Sequence, residues 1–367
     1  MGKIKENNIE FSPIVALPPG ETIKDFINTV KMTQGELANR LGVSVKHMSN
    51  IINGIAPITY DTALSLEKVI GPSAEFWMNL ETNYQLDKAR IEEERNLEKD
   101  SEILKLIPYN EMSKLGWIDK TSNKNEKIKN MRDFFKVSSL TCIENSYAVA
   151  FRQSKTSNKI SNYAVLAWLK MAEDIGNDIE VDELNRGKLK KLIPTFRELT
   201  LKNPEEFYPI MKQLCAECGI ALVLVESLPK TYICGATIWR GNKAILALSV
   251  RGKKADIFWF TFFHEIAHLV EHSKKEFHIS YDKDNSQEEH EADQKARNYL
   301  IEDEQYEKFI KDFNYTSVSD ISYYAKQIGV HPCILVGRLL HDKLIDYSKK
   351  YNDLRPSFKI VRNQKAS

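Results

Sequence analysis

Apolar residues recur every three or four positions along the first ninety residues. Leu37, Ala38 and Leu41 form one stripe, and Val43, Met48, Ile51 and Ile52 continue it; Gly42, Gly54 and Gly71-Pro72 interrupt it. This spacing with those breaks predicts a bundle of short helices after an extended, polar start over residues 1–18. From Asp87 to Leu106 the pattern turns to charges of both signs (KARIEEERNLEKDSEILKL), which predicts a solvated connecting helix. Further helical patterns run to residue 210, with polar loops or helix caps at 122–130 and 152–161. After Gly219 the period changes. Ile220–Val225, Tyr232–Trp239 and Ala244–Val250 are short β-branched apolar runs bounded by Pro229 and Gly241-Asn242, and read as three strands. An apolar helix from Asp256 to His272 follows, and another helix begins near Glu288. The fold class expected is mainly α with a small β-sheet (α+β). The expected division is a helix-turn-helix domain over 1–90, a helical connector over 91–205, a domain built around the apolar helix over 206–347, and a basic tail over 348–367.

Within TQGELANRLGVSVKHMSNIING (33–54), Gly42 fits the turn between two helices and Ser44 is a good N-cap for the second. That second helix presents Val45, Lys46, His47 and Asn50 outward, where a recognition helix meets base edges. Gln34 and Asn53 stand at helix ends suited to phosphate contacts. Residues 1–90 hold nine Lys/Arg against ten Asp/Glu, so any DNA contact must come from a local patch or from a dimer that concentrates charge.

The strongest chemical signal is FWFTFFHEIAHLVEH, residues 258–272. On a helix, His264 and His268 are about 40° and about 6 Å apart, so both imidazoles share a face and can hold one metal. Glu265 between them can accept a proton from a water that zinc has made acidic. Apolar neighbours mark the helix as buried, and a buried helix does not carry two His and a Glu without partners. Lys274 stands where a metzincin would place its third His. His272 lies about 12 Å along the helix from His264, too far to share the ion, and reads as a capping or supporting group. The third ligand is expected on EEHEADQKARNYLI (288–301), where Glu291 before Ala292-Asp293 fits the gluzincin arrangement; Glu288 and His290 are the alternatives. Asp293 can orient a histidine ligand. Cys215-Ala-Glu-Cys218 lacks a second pair and reads as a helix end closed by Gly219.

Composition narrows the class. Lys+Arg total 52 and Asp+Glu 51, so net charge points to neither a polyanionic nor a polycationic partner. Five cysteines are too few and odd in number for a disulfide framework. Neither a membrane-length apolar run nor a signal peptide is read in the sequence, and a cytoplasmic location is expected.

Two resemblances join these parts. Through LPPGETIKDF, TQGELANRLGVS, SNIINGIAPIT and SAEFWMNLETNYQLDKA, residues 14–90 resemble the HigA-type antitoxins among the phage-repressor helix-turn-helix proteins. Through GIALVLV, ALSVRGKKADIFWFTFFHEIAHLVEH, EEHEADQKA and YYAKQIGVHPCILVGRLLHD, residues from about 206 to 347 resemble the ImmA/IrrE metallo-endopeptidases. The second resemblance implies Zn2+ held by His264, His268 and Glu291, with Glu265 as general base and a repressor or antitoxin as protein substrate. It departs from the usual pattern at Lys295 and Arg297, which implies a more exposed second ligand helix. Operator DNA, a toxin partner and a homodimer are the further partners expected. The competing expectation is a non-catalytic antitoxin and autorepressor with the zinc fold as a sensor. Substrate is expected to join the exposed edge of the three-stranded sheet beside the zinc, and the cut to fall in a partner's linker or in this chain between about residues 87 and 130.

Overall fold

Among its described residues the first unit is built of five helices: α1 (Pro19–Thr29), α2 (Gln34–Leu41), α3 (Val45–Ile52), α4 (Tyr60–Ile70) and α5 (Ala74–Leu104). The computed structural model describes residues 15–147, 161–250, 254–271, 277–281 and 287–360, and falls into two units, Met1–Ser101 and Glu102–Ser367. Thr33, Ser44 and Thr59 each cap the next helix by accepting a backbone N–H, which satisfies donors that a helix start leaves bare. Gly42 adopts the left-handed conformation at φ 70°, closing α2 so that Val43 N–H bonds back to Ala38 O and α3 turns away. Leu37, Ala38, Met48, Ile51 and Ile52 then meet Ile23, Ile27, Leu66 and Trp77 in one core, with Leu41 and Val43 packed at its margin. Buried Glu81 on α5 accepts Ile58 N–H at 3.1 Å and ties the connection before α4 to the long helix.

α5 is one continuous helix of 31 residues, so the charged stretch from Asp87 to Leu104 is helical throughout. Its last residues, Glu102–Leu104, belong to the second unit.

Among the described residues of the second unit the sheet has four strands, not three, in the order β1-β3-β2-β4, with β1 Ile220–Leu224, β2 Ile233–Arg240, β3 Lys243–Leu248 and β4 Phe277–Tyr281. β2 and β3 form an antiparallel hairpin over Gly241-Asn242, β3 runs parallel to β1, and β4 returns after the apolar helix to pair antiparallel with β2. The edge expected on the three-stranded sheet is therefore covered by β4. Alternation along the strands sorts side chains cleanly. Ala221, Val223, Ile245, Ala247, Ile238 and Ile279 face a core shared with the helix Asn162–Asn177. Leu222, Trp239, Leu246 and Leu248 face a second core with the apolar helix Ala255–Glu271, whose Trp259, Phe262 and Phe263 are almost fully buried. Cys215 and Cys218 are buried at the end of helix Pro204–Glu217, where Gly219 takes φ 82°.

Residues 348–360 are not a free tail. Arg355 forms a buried ion pair with Asp256 at the start of the apolar helix, and Phe358 packs on Phe207 and Phe258. Residues 361–367, and His272, lie outside the described residues.

α1 and α3 approach closely at Gly20, where an added Cβ would stand 2.0 Å from Ile52 O. Gly20→Ala is expected to force the helices apart at a cost of about 1–3 kcal/mol. Faster amide exchange in α1 and α3, with the second unit's protection unchanged, is the outcome to look for.

Candidate metal centre and DNA-facing helix

His264 and His268 stand one turn apart on the apolar helix, each 5% exposed, and Glu265 between them is fully buried. Across from them runs the helix Gln287–Leu300, which brings in Glu289, also 5% exposed. The carboxylate oxygens of Glu289 lie 3.1 Å from His264 Nε2 and 3.2 Å from His268 Nε2, and the two imidazole nitrogens are 3.0 Å apart. His264, His268 and Glu289 form a metal-sized cluster among the described residues. Tetrahedral zinc with bonds of about 2.1 Å separates its ligand atoms by roughly 3.4 Å, so this donor set fits a zinc ion with little adjustment. Asp293 Oδ1 is 2.8 Å from His264 Nδ1. It accepts that nitrogen's proton and so directs the Nε2 lone pair at the cluster.

Glu291, expected as the third ligand, is exposed on another face, where Gln287 donates to it at 3.0 Å. Helical geometry gives the reason. At about 100° per residue, Glu289 and Asp293 are about 40° apart, whereas Glu291 is about 200° round from Glu289. The buried stripe is Glu289, Ala292, Ala296 and Leu300. Stepping back from Ala292 and Ala296 by three and seven residues finds Glu289, so the signal was present in the sequence. Glu288 and His290 are exposed as well. The exposure expected at Lys295 and Arg297 is real but partial: Lys295 is exposed, and half-buried Arg297 reaches His341 at 3.1 Å.

A residue missed by sequence reasoning is His278 on β4, whose Nε2 lies 2.9 Å from Glu289 Oε1. Glu265 leans the other way, onto β2. Its Oε2 accepts from Thr237 Oγ1 at 2.9 Å, while its Oε1 is buried with no hydrogen-bond partner among the described residues. Only glycine fits beneath it, because a Cβ at Gly235 would stand 2.7 Å from Glu265 Oε1. Beside the cluster opens a cavity of about 330 Å³, with His264, Glu289, Phe260, Ile257, Arg297 and Tyr347 among its lining.

The electrostatics follow from burial against close carboxylates. Burial disfavours protonation of His264, but the hydrogen bonds to Asp293 and Glu289 override it and push its pKa up to about 10. Burial would raise Glu289, yet hydrogen bonds from His264, His268 and His278 hold it far below the usual carboxylate range. His268 is lowered, chiefly by burial. That upward shift favours a proton on His264 in the metal-free centre, and a metal bound through Nε2 would have to displace it.

The α3 surface divides the candidate DNA contacts. Val45 and Lys46 are exposed, and His47 and Asn50 are half-buried. Ser44 Oγ accepts His47 N–H as the helix cap, and Asn53 turns its amide back to Ser49 O at 2.9 Å. Gln34 is half-buried at the first turn of α2.

Two outcomes are expected for the metal. Glu289→Ala, His264→Ala and His268→Ala should each lose stoichiometric zinc by elemental analysis, while Glu291→Ala keeps it. Zinc titration of the metal-free protein at pH 7, in buffers of differing ionisation enthalpy, should show proton release; buffer-independent heats would contradict the protonated His264.

Comparisons with known proteins locate both halves. The family model Helix-turn-helix (HTH_3) matches residues 23–77, and the IrrE N-terminal-like domain (Peptidase_M78) matches residues 216–339. Virulence-associated protein I of Dichelobacter nodosus is 33% identical over 75 residues, covering 20% of this chain and 69% of that protein. Among solved structures, the Pseudomonas aeruginosa antitoxin HigA with the higBA promoter is 32% identical, covers 20% of this chain and 83% of its own, and gives a TM-score of 0.20. An addiction module antidote protein of the HigA family from Coxiella burnetii is 34% identical, covers 23% of this chain and 92% of its own, and gives 0.21. The chain belongs to the helix-turn-helix family through residues 23–77 and joins to that domain, over residues 216–339, an IrrE N-terminal-like domain of the Peptidase_M78 family.

Proposed function

We propose that this protein is an antitoxin-class DNA-binding regulator and a site-specific zinc endopeptidase, which cuts a repressor or antitoxin in an extended segment. The observation that carries the catalytic half is the buried set His264, His268 and Glu289 with Glu265 beside it. A bound zinc supplies Lewis acidity toward a water and a peptide carbonyl. The rest is work for the chain's own groups. His264 and His268 present Nε2, with Asp293 fixing the tautomer of the first. Glu265 keeps one oxygen on Thr237, and the other has no hydrogen-bond partner among the described residues, so Oε1 is the acceptor for the proton of the attacking water. Glu265 then gives that proton to the departing amine.

β4 is the strand beside the cluster, and a substrate peptide adds to it as a further extended strand. This requirement bears on self-cleavage. The stretch from Asp87 to Leu104 is helical, as are Tyr109–Lys114 and Lys124–Phe135, so most of the region expected to be cut would have to unwind first. An extended linker in a partner protein meets the requirement directly. The DNA half reads an operator through Val45, Lys46, His47 and Asn50 of α3, with Gln34 and Ser44 beside the backbone and Asn53 a weaker contact, in a homodimer spanning two half-sites. Joining the two halves raises the local concentration of peptidase around a repressor that shares the operator.

Incubating zinc-loaded protein with each co-encoded protein, and reading fragments by mass spectrometry, tests the enzyme. Wild type should give one defined cut. Glu265→Gln should keep its zinc and lose at least about 100-fold in rate, and Gly235→Ala should slow the reaction by crowding the same carboxylate. Fragment-free mixtures of every co-encoded protein, and of the protein alone, would move the assignment to a non-catalytic antitoxin with the zinc fold as sensor. Broad digestion of casein at a comparable rate would contradict a regulatory protease. For DNA, Lys46→Ala with Asn50→Ala should erase preference for the operator over random sequence while non-specific, salt-dependent binding falls less.

A further inference from the structure

β4 reaches the cluster through His278. Its pairing with β2 sets His278 directly across from Thr237. One rung of the sheet thus serves both carboxylates of the centre: Thr237 donates to Glu265, and His278 reaches Glu289 Oε1 at 2.9 Å. The imidazole is largely buried, its side chain 14% exposed, and its ring lies 3.6 Å from that of His268, centroid to centroid, at 39°. Its Nδ1 is buried with no hydrogen-bond partner among the described residues, and the polar contact found for the imidazole is the one to Glu289. His278 is not itself among the three residues whose ligand atoms gather around a common point, His264, His268 and Glu289.

We propose that His278 is a positioning residue for the metal centre: it donates Nε2–H to Glu289 Oε1 and fixes the rotation of that carboxylate, leaving Oε2, 3.1 Å from His264 Nε2, as the oxygen offered to the metal. The inference rests on the metal-site reading above and deepens it. Ligating carboxylates hold their geometry only when their second oxygen is also engaged, and losing such a partner weakens metal binding by about 10- to 100-fold. Here the partner comes from the strand on which substrate would add, so disturbance of β4 is transmitted to the ligand oxygen through one hydrogen bond.

The test compares His278→Gln, which keeps an N–H donor at similar reach, with His278→Leu, which keeps the bulk and removes the donor. Zinc affinity of the full chain is measured by competition with a chromophoric chelator, alongside wild type and Glu289→Ala, and cobalt-loaded samples supply the ligand-field spectrum. Metal-free melting curves monitor folding. His278→Leu should bind zinc about 10- to 100-fold more weakly and shift the cobalt bands, while His278→Gln returns both most of the way to wild type. Wild-type affinity and spectrum in His278→Leu, with zinc lost in Glu289→Ala, would overturn the positioning role and leave the metal site standing. A wild-type protein that takes up no zinc would overturn the metal site itself. Equal weakening in His278→Leu and His278→Gln would assign the effect to packing and also overturn the proposal.

Discussion

Three imidazoles and two carboxylates are buried together where the aromatic-rich helix meets helix Gln287–Leu300 and the sheet, and that burial constrains the second unit. A charged group removed from water is tolerated only where partners replace its hydration. Glu289 meets three histidines, His264 also meets Asp293, and Glu265 meets Thr237. Each partner constrains the backbone that carries it. Gly235 allows β2 to pass beneath Glu265, and Ala292 and Ala296 turn the narrow face of the ligand helix inward. The Asp256–Arg355 pair secures the start of the apolar helix to the C-terminal segment. The same cluster that is costly to bury gathers donor atoms at a metal-sized spacing, with one oxygen of Glu265 beside it that has no hydrogen-bond partner among the described residues.

Where local rules govern, the sequence was readable. The turn at Gly42, the cap at Ser44 and the core residues of α2 and α3 depend on spacing and on one residue's conformational freedom, and all are found where the pattern puts them. The three strands after Gly219 and the buried helix after them were legible for the same reason. Long-range arrangement was less so. β4 is only five residues, and its place in the sheet comes from pairing with β2. The role of its histidine exists only once that pairing is made. Glu291 is favoured by resemblance to a motif, with Glu288 and His290 as its alternatives; the inward stripe of Ala292, Ala296 and Leu300 instead continues to Glu289, which that reading did not weigh. The C-terminal segment looked like a basic tail because its anchoring residues, Arg355 and Phe358, are isolated in sequence and find their partners about a hundred residues earlier or more.

The two units place different demands on the chain. The first is held by a small apolar core with capped helices and leaves polar side chains of α3 outward, an arrangement suited to surface recognition of a duplex. The second buries several polar side chains, His264, Glu265, His268 and Glu289 among them, beside a cavity of about 330 Å³. Helix α5 runs from Ala74 to Leu104 as one continuous helix.

Anomalous diffraction at the zinc edge, from crystals of the zinc-loaded protein, tests the ligand assignment most directly. The account predicts one strong peak per chain, bounded by His264 Nε2, His268 Nε2 and a Glu289 oxygen, with Glu265 and His278 beside it and not bonded to it. A peak ligated by Glu291, or the absence of any peak between the apolar helix and the helix Gln287–Leu300, would contradict it.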